Sequence, residues 1–193
     1  MKKLFVLFVA ASAALFSFKA AETATWTADK AHSKLGFSIT HMMVSDVEGS
    51  FKSFESTIVS SKEDFSDAVI TLSADVNSVN TEDEKRDGHL KTADFFDAEK
   101  FPKLTFKSTS VKVVSANKYK VNGLLTLHGV TKPVVLDATL RGIYTNPMSK
   151  KVTAGFKVTG TLKRADFQLG TKFPTAMLGD EITLTANTEF TKN

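Results

Sequence analysis

The densest chemistry in this sequence is Arg86-Asp87-Gly88-His89-Leu90, which sets a guanidinium, a carboxylate and an imidazole within four consecutive positions. Such a set can move a proton, with His89 as base and Asp87 or the nearby Asp94 to orient it. It can also hold a phosphate between Arg86 and His89, or simply pin a short helix over an opening. No activated nucleophile accompanies it: the chain has no cysteine, no Gly-x-Ser-x-Gly elbow and no glycine-rich phosphate loop. The remaining histidines, His32, His41 and His128, stand singly, without His-x-x-x-His pairs or Glu partners at ligand spacing. Neither a metal nor another cofactor is expected from that pattern, and the chain is read as a binding protein rather than an enzyme.

The elements that must position these residues are strands. From Thr25 onward the dominant period is two: Leu35, Phe37 and Ile39 share one face, as do Ala68, Ile70, Leu72, Ala74 and Val76. The same alternation places Tyr119, Val121, Leu125 and Leu127 together, then Val134 to Leu140, Val152 to Leu162 and Ile182 to Ala186. With Glu48 to Val59 and Leu104 to Val114 added, about eight strands result. Ala116-Asn117 and Asn146-Pro147-Met148 read as short turns between antiparallel neighbours. The exception is Asn80 to Lys100, where Thr81-Glu82-Asp83-Glu84 has the form of a capping box opening a short helix.

Eight antiparallel strands in one domain must hide their edges and bury one face, as a closed barrel or a two-sheet sandwich does. The inward positions mix many phenylalanines with Gly123, Ala138, Ala154 and Gly160, which leaves room for an elongated cavity. Sixteen Phe against one Trp and two Tyr favour rings with no polar atom to satisfy, and these can also simply fill a core. His41 and Arg164 extend apolar faces at the ends of their strands. Each must therefore meet an internal partner or the polar head of a ligand, and Asp87, Asp94 and Asp166 are the carboxylates that could serve Arg164 or Arg86.

Ahead of the strands, Lys2 and Lys3 precede an apolar run from Leu4 to Phe16. The run is shorter than the roughly 20 residues a membrane span needs, so residues 1–21 read as a secretory leader cut near Ala20 or Ala21. Without Lys2, Lys3 and Lys19 the chain keeps 22 basic against 21 acidic residues. With the two signs read as mixed along the chain, a near-neutral surface is expected and no nucleic-acid partner. No later segment is long and apolar enough for stable membrane insertion, and the destination is periplasmic or secreted. Residues 22–193 form one domain, held without disulfides.

Over essentially all of that domain the sequence resembles the YceI-like, or polyisoprenoid-binding, family. The resemblance rests on Asp29-Lys30-Ala31-His32-Ser33 with Phe37 and His41, on Gly49-Ser50-Phe51, and above all on Arg86 to Ala98 followed by Phe101-Pro102-Lys103-Leu104-Thr105-Phe106. It continues through Gly123 to Pro133 and Arg164-Ala165-Asp166-Phe167. It implies an all-β fold, an extended eight-stranded antiparallel barrel of lipocalin-like shape with a helical excursion near residues 81–100. It also implies a polyisoprenoid or similar long-chain lipid in the pore and association as a homodimer. Where such proteins usually carry glycine after Asp166-Phe167, this chain has Gln168.

The apolar faces and the resemblance together nominate Phe37, Ile39, Phe51, Leu72, Phe106, Leu125, Phe156 and Phe167 as ligand lining. His41, Arg86, His89 and Arg164 are nominated for the mouth or head group. Two other readings stay open: a hydrolase or isomerase acting on a lipid-like substrate through His89, and an interaction module whose barrel is packed solid.

Overall fold

The computed structural model describes residues 22–193, so the expected leader over 1–21 lies outside the described residues. The period-two segments form a closed, eight-stranded antiparallel barrel. Strand β1 runs as Ala24–Ala28 and Lys34–His41, and β2 as Ser45–Phe51 and Phe54–Ser60. Strand β3 runs as Val69–Asp75 and Val79–Asn80. The excursion with helix α1 (Glu84–Leu90) follows, then β4 (Lys103–Ser115), β5 (Lys118–Leu127), β6 (Val130–Thr145), β7 (Val152–Lys163) and β8 (Leu178–Lys192). Each strand pairs with the next, and β8 returns to β1 through Trp26↔Lys192 and Leu184↔Phe37. Closure leaves no edge strand to cover.

The first three strands are bent, each at an identifiable device. Asp29 interrupts β1 by accepting the Ala31 N–H at 2.8 Å, which starts a 3-10 turn at Lys30–His32. The segment Glu48 to Val59, read from sequence as one strand, breaks at Lys52-Ser53. Their N–H groups turn to the Ser78 carbonyl (3.1 Å) and hydroxyl (2.9 Å) in the 3-10 turn Val76–Ser78 of β3. The two kinks lie side by side and let the sheet curl.

Helix α1 starts two residues later than the capping-box reading places it. Asp83, not Thr81, is the N-cap, accepting the Arg86 N–H at 3.0 Å. Thr81 is buried instead and donates its N–H and hydroxyl to Asp87 at 2.8 and 2.6 Å. Beyond Leu90 the excursion continues as turns, closed by Phe96 N–H to Leu90 O (3.0 Å) and Phe101 N–H to Asp97 O (2.8 Å).

The meander puts the β1–β2 turn, the α1 excursion, the β5–β6 turn and the 164–177 loop at one end of the barrel. The 61–68 loop and the β4–β5 and β6–β7 turns lie at the other. The charges are not mixed as expected. Residues 103–163, which are β4 to β7 with their turns, carry eleven Lys and Arg against Asp137 alone, a net +10, while the other described residues sum to −9. The outward positions of these strands are largely Lys, Thr and Ser, and no described helix is long and apolar enough to cross a membrane.

Candidate ligand-binding cavity

The inward faces of all eight strands surround a cavity of about 430 Å³, inside the range of roughly 300–1,000 Å³ usual for ligand pockets. Its wall is aliphatic and aromatic nearly throughout. Phe37, Ile39 and Phe51 come from β1 and β2, Leu72 from β3, Phe106 and Leu125 from β4 and β5, and Phe156 from β7. Four nominated polar residues, His41, Arg86, His89 and Arg164, also border it. Phe167 does not. It is 1% exposed and packs beneath the 3-10 turn Arg164–Phe167, and its carbonyl accepts from His128 Nδ1 at 3.1 Å. That turn rotates it off the inward face that Leu162 occupies.

The small inward residues do not hollow the barrel as the sequence reading supposed. A Cβ at Gly123 would overlap the Phe106 ring and stand 2.7 Å from the Lys107 carbonyl, and one at Gly160 would stand 2.5 Å from Leu136. Each glycine seats a neighbour, and Ala138 and Ala154 are themselves buried. Of the four small residues named from the sequence, Ala138 borders the cavity, while Gly123, Ala154 and Gly160 do not.

One end is floored by aromatic rings. Phe65, from the 61–68 loop, is 3% exposed and stands 5.2 Å from both Trp26 and Phe156, with Phe190 6.0 Å beyond Phe156. Tyr119 closes the same end, donating to the Asp64 carbonyl at 2.9 Å, and burial pushes its phenol up from the ordinary value. Sequence reading missed Phe65 because it lies in a loop, outside any alternating face.

The other end carries the chemistry. Arg164 is 4% exposed, and its five N–H groups go to five carbonyls: Gly179, Leu169, Gly170, Phe173 and Leu178, at 2.6–3.1 Å. No carboxylate pairs with it among the described residues, contrary to the expectation of Asp87, Asp94 or Asp166. The loop that β7 and β8 enclose and the first two residues of β8 wrap their backbone around the guanidinium, which a sequence pattern cannot display. Arg86 is different: Nε donates to Thr81 Oγ1 (2.8 Å) and Nη2 to Thr81 O (2.6 Å), leaving three of five N–H groups uncommitted beside the cavity.

Over the opening, two loops clasp. Asp94 accepts from His89 Nε2 at 3.4 Å and from Lys172 Nζ at 2.6 Å. Lys172, then His89, hold its carboxyl below the ordinary value. Phe95 stacks on Phe173 (5.3 Å, 20°), and the His89 ring stands edge-on to both. The Gly170 N–H donates to the Asp94 carbonyl at 2.9 Å. Asp94, rather than Asp87, thus orients His89. His41 is exposed at the rim, opposite Leu178, with no side-chain hydrogen bond among the described residues.

Away from the cavity, folding brings Glu189 to His32, which already has Asp29 three residues before it in the sequence. Asp29, His32 and Glu189 set their ligand atoms within 4.8 Å of one another. The imidazole is already engaged by Asp29 at 2.9 Å, which raises the His32 pKa and lowers that of Asp29.

Set against known proteins, residues 26–190 match the model of the YceI-like domain. A UPF0312 protein of Staphylococcus aureus is 39% identical over 171 residues, covering 86% of this chain and 96% of that protein. The crystal structure of Burkholderia cenocepacia BcnA superposes with a TM-score of 0.76 at 26% identity, over 84% of this chain and 98% of that one. A polyisoprenoid binding domain from Saccharophagus degradans superposes with a TM-score of 0.65 at 17% identity, over 86% and 97%, a likeness of fold.

Proposed function

The chain belongs to the YceI-like family, and from that premise we propose that its barrel binds a polyisoprenoid or similar long-chain amphiphilic lipid without transforming it. The observation that carries this reading is the cavity: apolar on all sides, floored by Phe65 at one end, with its charged groups confined to the other. The driving force is area burial, about 25 cal/mol per Å² or about 0.8 kcal/mol for each buried methylene, offset by the entropy of ordering the chain. The name of the Saccharophagus degradans domain supports the same ligand class. In this reading residues 1–21 are a leader and the carrier works in the periplasm or outside the cell.

The two arginines divide the work. Arg164 has no donor left and serves as a strut, while Arg86 offers three N–H groups and is the anchor for a carboxylate, phosphate or carbonyl head. His89 belongs to the clasp and, with no nucleophile in contact, is given no catalytic role.

Native mass spectrometry of detergent-free protein, followed by organic extraction, tests the proposal. One long-chain lipid recovered near equal molar ratio supports it. A clean mass that refuses added prenyl lipid overturns it in favour of a packed interaction module. Turnover of that lipid, abolished in His89→Ala while binding persists, overturns the non-catalytic part.

A further inference from the structure

The outer face of β4 to β7 is the surface a lipid cavity explains least. Its eleven Lys and Arg are all exposed. Asp137 is spent on Lys120 at 2.7 Å and Lys103 has Asp75 at 3.9 Å. The other nine have no carboxylate within 4 Å among the described residues. The register gathers the basic residues: Lys112 stands opposite the paired Lys120, and Lys118 and Lys157 flank Thr139 in one line across three strands.

Aliphatic side chains stand in water between the lysines. Leu124 is 45% exposed, Val135 53% and Val114 59%, with Met148 89% exposed at the β6–β7 turn. Leu124 shares a cross-strand row with Lys107 and Pro133, and Val135 lies opposite Asn122 one row on.

We infer that this face docks the barrel, flank down, on an anionic lipid bilayer. Lysines supply the diffuse attraction to acidic head groups, and the aliphatic side chains between them enter the head-group layer. Nucleic acid is read through arginine forks and stacked rings, whereas the cations here are lysines apart from Arg141, and the exposed aromatic ring is Tyr144. None of these side chains lines the cavity, so the inference goes beyond the lipid-binding reading and can fail separately from it.

The test is co-sedimentation of the protein with vesicles of phosphatidylcholine alone, and of phosphatidylcholine mixed with an equal part of phosphatidylglycerol. Sedimentation with the mixed vesicles only, lost at high salt as the charges are screened, is the expected result. The triple variant Lys112→Glu, Lys118→Glu, Lys157→Glu loses at least about tenfold in vesicle affinity, with melting temperature and uptake of a fluorescent lipid unchanged. The control pair Lys62→Glu, Lys85→Glu leaves binding intact. Equal sedimentation with neutral vesicles, or a triple variant that binds as tightly as the parent, overturns the inference. So does salt-sensitive self-association or a shift of duplex DNA in place of vesicle binding, which assigns the face to the acidic half of a second copy or to nucleic acid.

Discussion

Two arginines near the barrel mouth differ in how many of their donors are spent, and that difference fixes what each can do. Arg164 satisfies five backbone carbonyls, three in the loop after its 3-10 turn and two, Leu178 and Gly179, at the start of β8. Arg164→Ala strands all five, and urea unfolding should show a loss of about 3–5 kcal/mol. Arg86→Gln gives up two hydrogen bonds to Thr81 and lowers the melting temperature less than Arg164→Ala does, and it weakens binding of a lipid with an acidic head by roughly tenfold, the worth of one charge-assisted hydrogen bond, as a fluorescent-lipid titration would register. Acid acts on the clasp. The depressed carboxyl of Asp94 gives a contribution that is complete above its ordinary pKa and is lost as pH falls through the lower folded value. The protection factor of the Gly170 amide, whose N–H bonds the Asp94 carbonyl, should therefore hold at neutral pH and fall only below the ordinary carboxylate range. His32 runs the other way, because its pKa is raised. What it contributes is present below the ordinary imidazole value and fades as pH rises through the higher one. That Arg164 faces inward was legible in the alternation. Its partners were not, since carbonyls leave no mark in a sequence.

At the scale of elements, strands were the easiest part to read, because burying one face forces period two on the side chains. The kinks were harder. Lys52-Ser53 breaks β2 only because Ser78, twenty-five residues on, supplies both acceptors. Thr81 failed as a cap for a similar reason: Asp87 claims its hydroxyl first. Two substitutions probe how tightly the elements fit. Gly123→Ala drives a methyl into the Phe106 ring and toward a backbone carbonyl that cannot yield. Overpacking of this kind costs about 1–3 kcal/mol and should appear as a lowered melting temperature together with weaker lipid uptake. Gln168 holds φ 58, ψ 27 after the 3-10 turn, the left-handed conformation that the family's usual glycine takes without strain. The turn survives the exchange, and Gln168→Gly should stabilise the protein by about 0.5–1 kcal/mol.

For the whole molecule, the near-neutral total concealed a division into a basic and an acidic half. The information was present in the order of residues, since residues 103–163 hold a single carboxylate. It gained meaning only once the meander gathered those residues into four adjacent strands. The ring itself carries a final consequence. The seam that closes it joins β1 to β8, the strands farthest apart in the chain, so every ladder except the two that β8 makes, to β7 and to β1, can form before the last strand has been made. A nascent or truncated chain lacking β8 is a curled open sheet with two sticky borders, β1 and β7, and an unsealed greasy interior. The β1–β8 seam closes the longest loop in the chain and so costs the most chain entropy of any ladder, and a chaperone that shields those borders until synthesis ends should raise the yield of closed barrels, as refolding yields with and without it would show.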